Sequence, residues 1–378
     1  MKLLNYKLIK LFNNLIFFAP VAILIRTSKG ISYSEFLLLQ AILSISILFF
    51  EIPTGYITDK IGYKNSIIIS QIMLFISRIL LYLANSFYIF LFEVIVEAIS
   101  FSFISGTNEA YLYEICNEYK IEYIIESSKI NSFGTIGFIL SILMFPLFYK
   151  LNDLNFLILL TALSTFIGLL LTFSIKNIKH SYKIKNKINF DLLLNKNFFN
   201  IILINSTIGF VLLIINFFYV EILIRENIEI QLITIIILTY SLLTLLVPFI
   251  LNNKKEFMYS FFSLLSFICL LSFIFIKNQY VIIPMILLPF FIEILSNIIY
   301  EINNKFIDNI KSNENRATIL SIINMGNNIL EVVFLLFASF FIFDNLNYLF
   351  LFACILLLLN SFIGKRFINQ TKKIRNWI

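Results

Sequence analysis

The sequence predicts an all-α membrane protein of twelve transmembrane helices arranged as two six-helix halves. Three observations predict it. The 378 residues are 60% hydrophobic and only 13% charged, against about 25% charged in a typical soluble domain. Apolar stretches near the ~20 residues needed to cross a hydrocarbon core recur along the whole length, with no long polar block that would fold in water. One hydrophilic segment, KNIKHSYKIKNKINFDLLLNK at 176–196, divides them into an N-terminal half, 1–175, and a C-terminal half, 197–378.

The spans are taken between charged or turn-rich breaks. The first six lie near 5–25, 34–57, 65–85, 87–114, 126–149 and 153–175. The second six lie near 197–224, 228–251, 257–276, 279–304, 314–341 and 344–366. Lys2, Lys7 and Lys10 ahead of the first span resemble the start of a signal peptide, but no small-residue cleavage site follows, so the segment counts as helix one.

Basic residues test the map, because Lys and Arg stay in cytoplasmic loops. One side holds the N-terminal lysines, Lys60, Lys64, Lys120, Lys129, the central segment, Lys254, Lys255, Lys305, Lys311, Arg316 and the C-terminal cluster. The other holds only Arg26, Lys29, Lys150, Arg225 and Lys277. An even span count follows, with both termini on the cytoplasmic side of a multi-pass protein of the cytoplasmic membrane.

Composition also excludes function classes. Cys116, Cys269 and Cys354 lie far apart and suggest neither a disulfide framework nor a metal cluster. The net charge of +7 sits in short loops rather than along one helix face, which disfavours nucleic acid as a partner. His180, the only histidine, stands in the central linker without a second ligand type nearby. No H-E-x-x-H, G-x-S-x-G or G-x-x-x-x-G-K-[ST] is present, so neither an enzyme nor an ATP-driven pump is expected, and no cofactor.

The halves echo each other. ILFFEIPTGYITDK before the third span has a counterpart in LLVPFILNNKK before the ninth, with Pro53 and Pro248 at matching places. EAYLYEICNEYKIEYIIESSK likewise parallels IIYEINNKFIDNIKSNENRA. Such duplication is common in secondary transporters, whose sites lie near the midplane between repeats.

The loop after the second span reads Gly55-Tyr-Ile-Thr-Asp59-Lys60-Ile-Gly62-Tyr63-Lys64. It resembles the G-x-x-x-D-[RK]-x-G-[RK]-[RK] signature of the major facilitator superfamily, in the same loop. Glu51-Ile-Pro-Thr-Gly55, Ser105-Gly106-Thr107-Asn108-Glu109-Ala110 and Asn315-Arg316-Ala317-Thr318-Ile319-Leu320-Ser321 look like its bacterial drug-efflux-like branch. Tyr63 departs from the signature, standing where the family has a basic residue. The resemblance implies a cytoplasmic latch in which Asp59 reaches toward Arg316, and Glu114 is placed to pair with Lys60 or Lys64. In the fifth span, Gly134 and Gly137 faintly resemble the Gly-Pro motif of proton-driven exporters, without its proline; a close-packing face is the preferred reading.

Charges inside spans single out further residues. An ionisable side chain at a span centre costs roughly 2.5–3.5 kcal/mol on insertion scales, so those that persist face a cavity or a partner. Glu93 and Glu97 share a face of span four, Arg78 lies in span three, Glu293 in span ten and Glu331 in span eleven. At ~1.5 Å per residue, Arg78 lies about 20 Å up span three and Glu93 about 9 Å down span four, which brings them level. The count therefore pairs Arg78 with Glu93 and leaves Glu97 without a basic partner. Spans four and ten line the family's central cavity, so Glu97 and Glu293, then Glu331, are candidates for proton coupling or for binding a cationic cargo. Glu51 and Glu221 lie near span ends and read as solvated.

The expectation is a monomeric, proton-coupled transporter exporting a small amphipathic or cationic molecule by antiport, with protons or another ion as coupling partner. The alternatives are a sensor or immunity protein that keeps the fold without moving cargo, and a membrane-embedded lipid-modifying enzyme.

Overall fold

Capping and backbone chemistry set the helix limits in the computed structural model, which describes residues 3–121, 123–149, 154–178, 196–244, 246–247, 255–309, 316–341 and 345–375. His180, Pro248 and most of the 176–196 linker lie outside the described residues. The chain divides into two compact units, Met1–Lys185 and Asn186–Ile378.

The N-terminal unit holds α1 (Leu4–Asn13), α2 (Ala22–Thr27), α3 (Tyr33–Ile61), α4 (Tyr63–Leu83), α5 (Phe87–Tyr119), α6 (Tyr123–Tyr149) and α7 (Leu154–Thr172). The C-terminal unit holds α8 (Lys196–Arg225), α9 (Leu232–Thr244), α10 (Lys255–Phe275), α11 (Ile282–Asn309), α12 (Arg316–Phe341) and α13 (Leu346–Arg375). Among the described residues, nine helices are long and apolar enough to cross a bilayer. Two shorter apolar ones, Leu232–Thr244 and Met325–Phe340, together with the broken first segment, bring the total to the twelve expected.

The first span is not one helix. It breaks after Asn13 and resumes through a 3₁₀ turn at Ala19–Val21 carrying Pro20, which has no N–H to continue a ladder. Lipid offers no partner for the freed backbone groups, so other helices must supply one. Here α7 does: Phe17 N–H donates to Thr161 Oγ1 at 3.0 Å, and Ser164 Oγ donates to the Leu15 carbonyl at 3.0 Å.

A capping box starts α3, with Glu35 N–H donating to Ser32 Oγ and Ser32 N–H donating back to the Glu35 carboxylate. Gly62 ends it at φ +85°, a left-handed turn that a side chain would strain, and α4 begins at the next residue. Small polar residues then close the bundle. Ser70 and Ser100 donate to each other's carbonyls at 3.0 and 2.9 Å, drawing α4 against α5. At the other edge Glu126, at the start of α6, accepts from Lys7 and from Lys129, both at 2.7 Å. Those bonds, Lys129 first, hold its carboxyl below the usual range and tie α6 to α1.

The glycines of α6 are a packing face, as the sequence suggested. A Cβ on Gly137 would collide with the Leu11 carbonyl oxygen, and one on Gly134 would stand 3.2 Å from Asn14 Nδ2. Backbone meets backbone here, so Gly137→Val is expected to lower unfolding stability by about 1–3 kcal/mol, read as a shifted melting curve in detergent. Gly55→Ala, with no atom within 4 Å of the added carbon, is the control expected to change little.

In the C-terminal unit α8 packs against α11, α12 and α13, while α10 packs against α11 and α13. Asn360 of α13, 1% exposed, gathers the centre by accepting from Tyr259 Oη and donating to the Ile204 carbonyl and Thr207 Oγ1. Outward faces stay apolar: Leu143 and Leu147 of α6, Leu163 and Leu170 of α7 and Phe362 of α13 are all exposed, as lipid contact requires.

Candidate functional site

The loop motif and the helix-four motif meet. Glu51 of α3 accepts a hydrogen bond from Ser105 Oγ of α5 at 3.2 Å, and the hydroxyls of Thr58 and Thr107 lie 3.4 Å apart. Glu51 is therefore half-buried and engaged rather than solvated. Gly55, Asp59 and Lys60 are exposed on the last turns of α3, and Lys60 Nζ sits 4.3 Å from the centre of the Tyr56 ring. Lys64 donates to the Phe173 carbonyl at 2.9 Å. Among the described residues neither lysine pairs with the half-buried Glu114, against the sequence expectation; Lys60 lies over a ring and Lys64 donates to a carbonyl instead. Arg316 opens α12, and its side chain lies outside the described residues.

The in-span charges are rearranged relative to expectation. Glu93 pairs with Arg26 at 3.2 Å, not with Arg78. Arg78 pairs with Glu97 at 2.8 Å, so Glu97 has the basic partner it was expected to lack. Both corrections come from the broken first span, which brings Arg26 inward on α2, where it is 5% exposed instead of lying in an outer loop. Its guanidinium also donates to the Ala22 carbonyl at 3.2 Å and lies 5.7 Å from the rings of Phe36 and Phe90. Arg78 lies 5.4 Å from the Phe18 ring in the same way.

Glu93 and Glu97 do share one face of α5, as their spacing required, and all four charges are buried. The arrangement is electrically neutral, with each carboxylate one helical turn from the other and each held by a different helix. The Nε of each arginine is nevertheless buried without an acceptor, so the lattice is not saturated with hydrogen bonds.

The C-terminal unit differs. Glu293 of α11 accepts from Asn297 Nδ2, one turn on, at 2.9 Å. Glu331 stands near the middle of α12 and faces Gly209 of α8, its Oε2 3.4 Å from where a Cβ there would sit. No hydrogen bond or ion pair engages its carboxylate among the described residues. Glu221 of α8 is 5% exposed, which corrects the solvated reading.

Between α1, α4, α5 and α6 lies a cavity of about 240 Å³ that sequence reasoning missed. Tyr6, Lys10, Asn13, Gln71, Asn108 and Asn131 supply most of its polar lining.

Against this geometry, a family model described as Major Facilitator Superfamily matches residues 8–301. The chain belongs to the major facilitator superfamily. Membership places it with transporters rather than enzymes, and accounts for both the helix count and the loop signature. A curated relative, the uncharacterized MFS-type transporter YxaM of Bacillus subtilis (strain 168), is 30% identical over 126 residues. That match covers 33% of this chain and about a third of the relative, 32% of its length. Among solved structures, a mutant form of the nucleoside transporter NupG superposes with TM-score 0.81 at 14% identity, over 98% of this chain and 99% of that one. A D-xylose-proton symporter superposes with TM-score 0.72 at 13% identity, over 96% and 97%. At such identities the likeness is one of superfamily fold.

Proposed function

We propose that this superfamily member is a secondary active transporter that moves a small molecule across the cytoplasmic membrane by alternating access of its two halves. Both termini lie in the cytoplasm, and protons supply the driving force through Glu331. The observation that carries this reading is the unpartnered carboxylate near mid-helix, facing a glycine. A charge placed there has a cost that only a bound proton or cation removes. The four charges of the N-terminal unit compensate one another, so each carboxylate there has a cationic partner. Glu97 and Glu293, the first choices from sequence, rank behind Glu331 because Arg78 holds the one and Asn297 engages the other. The case for a cationic cargo leaned on Glu97 and Glu293 and weakens with their engagement.

Export is the direction supported by the resemblance of the Glu51–Lys64 and Ser105–Ala110 segments to the efflux branch. The test is an accumulation and toxicity screen in a host lacking its own pumps, with and without a protonophore. At least one compound should accumulate less when the protein is present, and the difference should vanish on uncoupling. If no compound's distribution responds to the protein under any imposed proton gradient, the reading gives way to a sensor that keeps the fold.

A further inference from the structure

Spans one and seven open the two halves, and the molecule builds them differently. Span seven is the single helix α8, whereas span one is broken into α1 and the six-residue α2. Both end on the same turn. Ile31 N–H reaches back to the Arg26 carbonyl at 3.1 Å and Ile228 N–H to the Leu223 carbonyl at 2.9 Å, around Gly30 at φ +88° and Asn227 at φ +54°. An unbroken helix therefore serves this turn equally well, so the break in span one answers to something else.

Across the break the backbone bonds run three residues back instead of four: Asn14 to Leu11, Leu15 to Phe12, Ala19 to Ile16 and Val21 to Phe18. Such a stretch lacks the stiff α-helical ladder and can absorb a change of backbone angles. Beyond it, α2 packs against α3 and is docked on two other helices by cations. Arg26 holds Glu93 of α5, and Lys29, in the turn after α2, donates to the Leu81 and Tyr82 carbonyls at 3.2 and 3.1 Å. Those carbonyls belong to the last turn of α4, where a helix leaves its acceptors unpaired. Ile23 and Ile25, both 0% exposed, lie behind these two latches.

The charges of the latch depend on α2 being docked. The charged groups acting on Glu93 are Arg26 from α2, Arg78 from α4 and Glu97 on its own helix; α3 brings the Phe36 ring beside the guanidinium instead of a charge. Should α2 leave, Arg26 goes with it, and Arg78 alone faces two carboxylates. One proton taken from water restores neutrality.

We propose that α2 is a hinged lid over this end of the N-terminal unit. It swings on residues 14–21, is latched by Arg26 and Lys29, and takes up one proton at the Glu93 and Glu97 carboxylates when it opens. Opening and protonation are reciprocal, so acid favours the open lid. The hinge and latch stand by themselves; service as an outer gate rests on the transport reading given above.

Thiol labelling of the detergent-purified full chain with a charged methanethiosulfonate reads the lid. Ile25→Cys reports the buried face of α2 and Ser28→Cys, at an exposed position, supplies the reference, so the ratio of their rates cancels the pH dependence of the reagent. That ratio is expected to rise at least tenfold from pH 8 to pH 5.5, while the native Cys116, buried elsewhere in the unit, stays unlabelled. Lys29→Met should raise the ratio at every pH and keep its slope. Arg26→Met with Glu93→Leu, which removes latch and proton site together, should make the ratio independent of pH. A ratio that does not move with pH in the parent, one that moves equally in the double variant, or parallel labelling of Cys116 would overturn the proposal, the last by showing general loosening in acid. An acid-opened lid in a protein that moves no compound overturns the gating role and leaves the lid.

Discussion

Glu93→Gln is expected to lower unfolding stability by about 3–5 kcal/mol, the largest single effect of any substitution in the N-terminal unit. The cause is the partner left behind. Arg26 is 5% exposed, lies beside Phe36 and Phe90, and among the described residues hydrogen-bonds to Glu93 and the Ala22 carbonyl alone. Arg78 and Glu97 cannot rescue it, since their own 2.8 Å pair already balances one charge with one. Arg26→Met strands the carboxylate instead and should cost a similar amount. The double variant Arg26→Met with Glu93→Leu removes both charges, so most of the loss should return, because apolar replacement of a whole buried pair is often neutral. Thermal and denaturant unfolding in detergent would read all three. Additive losses in the double variant would show that the two residues do not act as a pair.

That cycle also shows where sequence reasoning stopped. Span positions were legible because membrane thickness fixes the length of apolar runs, and the observed helices fall near the expected limits. The Gly134–Gly137 face was legible for a similar reason, since small residues one turn apart have few other uses in a membrane helix. The break in the first span was not. Asn13, Asn14 and Pro20 are visible in the string, but the break is tolerable only because Thr161 and Ser164, on a helix far along the chain, take up the freed backbone groups. Taking 5–25 as one continuous span left Arg26 in an outer loop, so Arg78 was the one cation left for Glu93 in the depth count, and the pairing was misassigned as a consequence. The cavity was hidden for another reason. Lys10 read as a topological charge, and an amide oxygen such as that of Gln71 becomes an orphan only once packing has closed off its alternatives.

Glu331→Gln is expected to abolish gradient-driven transport while leaving expression and unfolding stability near those of the parent chain. Glutamine has nearly the shape of a protonated glutamate but cannot release the proton, so it fixes one state of the cycle. The carboxylate lies about 15 Å from the nearer end of α12 at ~1.5 Å per residue, too deep for bulk water to be its default partner. Gly209 opposite it holds the neighbouring helix close without offering a charge or a hydroxyl. Because the substitution removes a half-buried charge that has no cation beside it among the described residues, the stability cost expected for Glu93 should not recur. Exchange of labelled for unlabelled cargo with no imposed gradient requires no net proton movement, so it should survive in Glu331→Gln. Loss of driven transport together with preserved exchange separates a coupling residue from a residue that merely shapes the bundle, which would damage both. Glu293→Gln, which keeps a hydrogen-bonding partner for Asn297, is the comparison expected to retain driven transport. If Glu331→Gln transports with the parent's dependence on the imposed pH gradient, proton coupling does not pass through this residue.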